Sequence, residues 1–132
     1  LPNMTSIYEY SCPSCSAGLS RDGEIMVTMT LNSGEKTNLI LDPQPGIYGY
    51  RCNPPLSLKD GELVDCYCPY CWESLRSEAY PNFVRLHLTQ ESEPPITVLF
   101  SRLVGEHKTY VINDEFTEEY GDGTKKLLKS VS

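Results

Sequence analysis

The sequence predicts a single, mainly β domain built from antiparallel strands. Short runs alternate apolar and polar residues with a period of two, and several of these runs are rich in β-branched side chains. Ten prolines and nine glycines punctuate the chain between the runs. The length of 132 residues fits one domain. Hydrophobic residues make up 39% of the chain, which excludes a disordered tail.

The clearest strand pattern covers residues 24–31. Its alternate positions would lie on one face of an extended chain, and they are all apolar: Ile25, Val27, Met29 and Leu31. Turn-forming residues follow at 32–35, and a second apolar run covers residues 37–41. The two runs therefore predict an antiparallel hairpin.

Proline-rich breaks separate the remaining elements. A break at 42–46 precedes a tyrosine-rich segment at 47–52. Three further strands are predicted at residues 83–89, 96–103 and 109–112.

Two segments are expected to depart from this β pattern. Residues 72–80 are predicted to form a short helix of about two turns before Pro81 ends it. Residues 114–132 are expected to be a flexible tail of acidic and basic residues, in which 124–130 form a short basic turn or fray.

A short internal repeat places four of the six cysteines. Residues 7–15 align with residues 63–71, and each copy is a predicted strand that runs into a Cys-Pro-x-Cys motif. The motifs supply four thiols: Cys12, Cys15, Cys68 and Cys71. A tight turn can bring two thiolates of this spacing to one tetrahedral metal ion. The four sulfurs together favour a structural Zn²⁺ site.

The two halves of this predicted site are separated by the 52 residues from 16 to 67. The intervening β segment must leave the site and return to it, as antiparallel hairpins do. A closed four-sulfur site has no open position for water or substrate. We therefore expect the metal to hold two β elements together and to catalyse nothing.

Two CPxC turns at the ends of two strands resemble the zinc-ribbon group of proteins. More loosely, they resemble uncharacterised bacterial and archaeal proteins that are defined by a pair of CPxC motifs. The resemblance covers the two cysteine turns, at 12–15 and 68–71, and the strands that lead into them. Many ribbons carry glycine after the second cysteine of each turn, where this chain has Ser16 and Trp72.

Two alternatives use the same cysteines. Iron would occupy the four-sulfur site in a rubredoxin-like electron carrier. The motif Cys68-Pro69-Tyr70-Cys71 also resembles the redox motif of the glutaredoxins, which would make Cys68 the nucleophile and Cys71 the resolving thiol. That interpretation needs a helix after the motif. The chain lacks the Thr-Val-Pro segment and the Gly-Gly pair that glutaredoxins carry downstream.

The remaining cysteines and histidines are expected to have no role in the chemistry. Cys52 and Cys66 are predicted to be buried small apolar residues, although Cys66 could substitute as a ligand. Six cysteines allow three disulfides in fifteen pairings, but the paired CxxC spacing favours metal. His87 and His107 are expected on the solvated surface.

Net charge and composition indicate which kinds of partner the chain can bind. A net charge of -7 makes nucleic acid an unfavourable partner. No apolar run exceeds three residues, so a membrane-spanning segment is excluded. Nine tyrosines, several of them near the cysteines, fit ordinary cross-strand packing or, alternatively, a recognition surface beside the turns. We expect a non-enzymatic, zinc-binding interaction or regulatory protein of the cytoplasm, whose partner is another protein.

Overall fold

In a computed structural model, the described residues, 9–90, 93–113, 116–121 and 124–130, form eleven strands in two antiparallel sheets. In chain order the strands are β1 (Glu9–Ser11), β2 (Ser20–Arg21), β3 (Glu24–Thr30), β4 (Lys36–Leu41), β5 (Tyr50–Asn53), β6 (Asp65–Tyr67), β7 (Phe83–Gln90), β8 (Glu93–Ser101), β9 (Thr109–Ile112), β10 (Phe116–Gly121) and β11 (Thr124–Ser130). The predicted mainly β, antiparallel fold is confirmed.

The order of the strands shows that one sheet is inserted in the sequence of the other. The six-stranded sheet has the order β1-β7-β8-β9-β10-β11. The five-stranded sheet has the order β2-β3-β4-β5, and β6 pairs with β3. The five-stranded sheet is thus inserted between the first strand of the six-stranded sheet and the rest of it. The described chain crosses between the sheets twice, from β1 to β2 and from β6 to β7.

The hairpin predicted in the first third of the chain is formed by β3 and β4. Ile25, Val27 and Met29 are buried on one face of β3, as their period of two requires. Val27 lies opposite Leu39 of β4, which is also buried. Between the strands, Gly34 adopts a positive φ of 90°, a conformation that glycine adopts without steric cost.

One hydrophobic core lies between the sheets. Met29 and Val27 of β3 and Leu86 and Val84 of β7 are among the largest fully buried side chains, and they belong to one cluster. Burial of each such side chain stabilises the fold by about 1.5–3 kcal/mol. Because both sheets contribute to one core, neither sheet buries its apolar face alone.

A buried arginine links the sheets at the end of β8. The Arg102 guanidinium donates hydrogen bonds to the carbonyl oxygens of Val64 at 3.0 Å and Pro81 at 2.9 Å. It also forms an ion pair of 2.8 Å with Asp65 in β6, which Arg76 shares at 2.9 Å. Three acceptors from separate parts of the chain thus converge on one side chain.

The helix predicted over residues 72–80 is wrong. Ser74 forms an isolated β-bridge with Tyr67, and Arg76 forms one with Val84. Leu75 and Ser77 are buried while the residues on either side are exposed, a burial period of two that suits extended chain.

Within the described ranges, no helix has the length and apolar character needed to cross a membrane.

The expectation for residues 124–130 is also wrong, because they form strand β11. β10 and β11 pair as an antiparallel hairpin, with Gly121 opposite Thr124. β10 also pairs with β9, so the hairpin continues the six-stranded sheet. Residues 114–115, 122–123 and 131–132 of the expected tail lie outside the described residues.

Candidate metal centre

Both crossings between the sheets pass through a cysteine turn. The first knuckle, residues 12–15, follows β1 and leads to β2 of the other sheet. The second knuckle, residues 68–71, follows β6 and leads back towards β7. The antiparallel pairing of the inserted strands returns the chain to the first knuckle, as a shared four-sulfur site requires.

The structure brings together the four cysteines that the sequence singled out. Their sulfurs all lie within 4.8 Å of one another. Cys12 Sγ is 3.8 Å from Cys71 Sγ, and Cys15 Sγ is 3.7 Å from Cys68 Sγ. Metal–sulfur bonds of about 2.3 Å in a tetrahedron place the sulfurs about 3.8 Å apart. The four sulfurs therefore have the spacing that a tetrahedral metal ion needs.

The cysteines of this cluster are free thiols rather than disulfides. A disulfide bond is about 2.05 Å long, well below the sulfur–sulfur distances in the cluster. Cys12 and Cys68 are buried, Cys71 is half-buried and Cys15 is exposed. The cluster thus lies at the edge of the core, with one sulfur on the solvent side.

Backbone N–H groups converge on the first sulfur of each knuckle. The N–H of Ser14 donates to Cys12 Sγ at 3.3 Å. The N–H groups of Tyr70 and Cys71 donate to Cys68 Sγ at 3.4 and 3.5 Å. Such bonds orient a thiolate and offset part of its negative charge, which is the arrangement expected around a metal ligand.

These hydrogen bonds also alter the acidity of the thiols. Burial alone would raise the pKa of Cys68, but hydrogen bonds from the N–H groups of Cys71 and Tyr70 and from neighbouring thiols outweigh it and lower the pKa below 9.0. Burial raises the pKa of Cys12. Four crowded sulfurs cannot all ionise without a cation, so a divalent metal suits this cluster.

The two knuckles have the same backbone structure. The N–H of Ser16 donates to the carbonyl of Cys12, and the N–H of Trp72 donates to the carbonyl of Cys68, both at 2.9 Å. Both residues have a φ of 63°. Ser16 and Trp72 therefore occupy the left-handed conformation that the glycine of many ribbons adopts without cost.

The structural repeat extends beyond the part that the sequence showed. Ser11 bridges Gly18, and Tyr67 bridges Ser74 at the equivalent position. Further along, the N–H of Leu19 donates to the carbonyl of Tyr10, and the N–H of Leu75 donates to that of Cys66. Residues 10–19 and 66–75 are thus two copies of one strand–knuckle–strand unit.

Cys52 and Cys66 lie outside the four-sulfur group. Cys66 is fully buried in β6, opposite Met29 of β3. Burial, with a smaller contribution from the Asp65 charge, raises the pKa of Cys66 to about 12. Cys52 is half-buried in β5, and burial raises its pKa as well. Core packing of Cys66 agrees with the sequence prediction.

The two histidines do not join the sulfur cluster. His87 is half-buried on β7, and its Nε2 lies 3.2 Å from Arg85 Nη2. His107 is exposed, and its ring stacks on Tyr48 with a centroid distance of 4.5 Å. The expected surface position therefore holds for His107, while His87 is only partly solvated.

Two aromatic side chains are exposed at the second knuckle, one within the turn and one directly after it. Tyr70 is 52% exposed, and Trp72 is 61% exposed. Arg21 Nη2 donates to the Tyr70 hydroxyl at 3.0 Å, so the first knuckle's exit strand reaches the second knuckle. By contrast Tyr10, also near a cysteine, is buried. In the sequence, Trp72 marks a departure from the ribbon pattern and the start of the predicted helix, and neither feature predicts that its indole is exposed.

Comparisons with protein-family models, with curated proteins and with solved structures found no significant match.

Proposed function

We propose that the protein is a structural zinc protein whose metal fastens its two sheets together, and that it acts by binding another protein rather than by catalysis. One observation carries the proposal: both crossings between the sheets pass through one group of four sulfurs at tetrahedral spacing. A metal ion bound there would cross-link the two points at which the chain enters and leaves the five-stranded sheet.

The ligand set supports zinc and a structural role. Four cysteine sulfurs match the composition of structural zinc sites, and they leave no position for a substrate or an activated water. When bound, zinc would supply cross-linking and folding free energy. The chain's own residues would hold the thiolates in place through the N–H groups of the knuckles.

The exposed aromatic pair supports binding to another protein. Trp72 holds a left-handed backbone that costs about 1 kcal/mol for a residue with a side chain. Trp72 is 61% exposed, so most of its surface is open to a partner. Tryptophan and tyrosine are enriched among the residues that contribute most to protein interfaces. With a net charge of -7, the chain favours a partner with a basic surface over nucleic acid.

We also propose the cytoplasm as the compartment. The four clustered cysteines are free thiols, and reduced thiols persist where glutathione and thioredoxin are active.

Elemental analysis tests the metal proposal. Protein purified without added metal should contain one zinc per chain, and Cys15→Ser should lose it, because one of four ligands is gone. Cys15 is exposed, so this variant leaves no cavity in the core. Cys52→Ser is the matched control and should keep the zinc. A folded, metal-free wild-type chain would contradict the proposal.

Elemental analysis, together with a thiol-exchange assay, also tests the rubredoxin-like and glutaredoxin-like alternatives. A rubredoxin-like carrier would contain iron and be red. A glutaredoxin-like enzyme would be metal-free and would show thiol exchange through Cys68 and Cys71. The helix that the glutaredoxin alternative needs after the motif is replaced by the bridged segment around Ser74 and Arg76.

Affinity purification with matched variants tests the interaction surface. Trp72→Ser should lose the partner while keeping its zinc, and Tyr50→Ser, which removes an aromatic ring on β5 that is 49% exposed, should keep both. Because Trp72 is the single tryptophan, its fluorescence should shift to shorter wavelength when the partner covers it. An unchanged partner yield with Trp72→Ser would rule out this surface.

A further inference from the structure

We infer that the four-sulfur cluster is also a site of reversible oxidation, at which a peroxide forms two disulfides between the knuckles, Cys12–Cys71 and Cys15–Cys68. This inference rests on the proposed function in one respect, that the oxidation would release the proposed zinc. The pairing itself rests on the positions of the sulfurs.

Two short sulfur–sulfur contacts join one knuckle to the other. Cys15 Sγ and Cys68 Sγ are 3.7 Å apart, and Cys12 Sγ and Cys71 Sγ are 3.8 Å apart. The repeat that relates the knuckles exchanges Cys12 with Cys68 and Cys15 with Cys71, so the two contacts are equivalent. A disulfide needs each pair to approach by a further ~1.7 Å.

Exposure determines which sulfur reacts first. Cys15 is the exposed member of the cluster, so a peroxide reaches it before the others. The Cys15 thiolate attacks one peroxide oxygen, the O–O bond breaks, and a sulfenic acid and hydroxide form. The Cys68 sulfur then attacks the sulfenic sulfur, the S–S bond forms, and the oxygen leaves as water.

A second peroxide oxidises the other pair in the same way. Cys71 is half-buried, and Cys12 is its neighbour. For the zinc-bound site, two peroxides and four protons convert four thiolates into two disulfides, four waters and a free Zn²⁺ ion. Four electrons pass from sulfur to peroxide oxygen.

This pairing has a consequence that pairing within the CPxC motifs would not have. Cys12 and Cys71 are 59 positions apart in sequence, and Cys15 and Cys68 are 53 apart. Disulfides across such long loops constrain the unfolded chain strongly and replace the metal as the fastening between the sheets. The protein would therefore release zinc under oxidation while keeping its fold.

Peptide mapping of the full-length protein tests the pairing. The purified protein is treated with two equivalents of hydrogen peroxide and denatured while the remaining thiols are alkylated, and the chain is then cut with trypsin and chymotrypsin. Trypsin separates the two motifs at Arg51 and Lys59, and chymotrypsin cleaves after Tyr70, which separates Cys68 from Cys71. We expect the oxidised protein to be lighter than the reduced protein by four hydrogens. We expect peptides joined through Cys12–Cys71 and Cys15–Cys68, and these peptides should separate only after reduction.

Variants and a second readout make the result decisive. In Cys15→Ser, Cys12–Cys71 should be the only disulfide, and Cys52→Ser, at a half-buried cysteine outside the cluster, should give the same two disulfides as the wild type. Peptides closed within a motif, Cys12–Cys15 or Cys68–Cys71, as the main products would overturn the inference, and so would oxidation to sulfinic acid without disulfides. The metal content before oxidation tests the proposed function separately, because the pairing can be read whether or not zinc was bound.

Discussion

A single tryptophan in an unfavourable backbone conformation marks the surface that we assign to binding. Trp72 and Ser16 occupy equivalent positions with the same positive φ, yet the serine exposes no large apolar surface. Selection for stability alone would favour glycine at both positions. This exposed indole on a left-handed backbone is the observation from which we propose a binding surface here.

Replacing this tryptophan with glycine should stabilise the free protein. Trp72→Gly relieves the left-handed strain, and we expect the free energy of unfolding to rise by about 0.5–1 kcal/mol, after allowance for the greater freedom of glycine in the unfolded chain. Trp72→Ala keeps the strain and should change stability little. Urea denaturation of the wild type and both variants, prepared with the same metal content, measures both changes. A clear loss of stability in Trp72→Gly would mean that the indole packs within the chain.

His87 should make stability depend on pH. Burial, and next the charge of Arg85, lower its pKa in the folded chain below the ordinary 6.5. The unfolded chain then binds the proton more readily, so the free energy of unfolding is highest above pH 6.5 and falls as the pH drops through the folded pKa. His87→Gln should remove this part of the slope.

Urea denaturation at a series of pH values from 7.5 to 5 checks the His87 prediction. The thiols of the metal site contribute to the pH dependence of both proteins, so the difference between wild type and variant isolates the imidazole. Equal slopes for the two proteins would contradict it.

Spacing along the chain explains which site residues could be predicted. The four cysteines could be assigned from sequence because each pair forms one local turn. Arg102 could not, because its acceptors on Val64, Asp65 and Pro81 are 38, 37 and 21 positions away. Only the assembled fold brings these groups together.

At the scale of elements, the repeated strand–knuckle–strand unit explains two results. The β3–β4 hairpin could be predicted because its period of two and its turn are both local. The segment after the second knuckle was wrongly predicted as helix because Leu75 docks between β6 and β7, a tertiary contact that the local pattern does not contain. The β10–β11 hairpin was also missed, although an Asp-Gly pair between Gly121 and Thr124 is a strong hairpin pattern.

Equivalent leucines of the two units should be equally important. Leu19 and Leu75 are both buried, and each follows its knuckle at the same position. We expect Leu19→Ala and Leu75→Ala each to lower the free energy of unfolding by about 2–4 kcal/mol. Leu63→Ala is the control at a partly exposed leucine and should lower the free energy of unfolding by about 1 kcal/mol or less. A small effect at Leu75 alone would contradict the equivalence.

At the scale of the whole molecule, the two sheets should unfold together. They share one core, and the proposed metal fastens both crossings between them. Removal of metal with a chelator should therefore lower the melting temperature of the whole chain in one transition. Circular dichroism and hydrogen exchange of the two sheets would check this. Loss of the five-stranded sheet alone would show that the sheets are independent.

Arg102 should be the main polar tie between the sheets. Arg102→Met removes hydrogen bonds to two carbonyl groups and the ion pair with Asp65, so we expect a loss of about 2–3 kcal/mol of stability. Arg76→Met removes only an exposed ion pair with the same carboxylate and should cost less than about 1 kcal/mol. Urea denaturation of both variants makes the comparison. Equal losses would show that burial of Arg102 adds nothing.

The position of the inserted sheet sets the order of events during synthesis. Cys15 is translated 53 positions before Cys68, which at about 5–20 residues per second is an interval of roughly 3–10 s. A hairpin such as β3–β4 forms within microseconds, so it can assemble during that interval. The nascent chain therefore carries two unpaired thiols of the site while the inserted strands emerge, and the proposed metal could gain its four sulfur ligands only after the second knuckle leaves the ribosome.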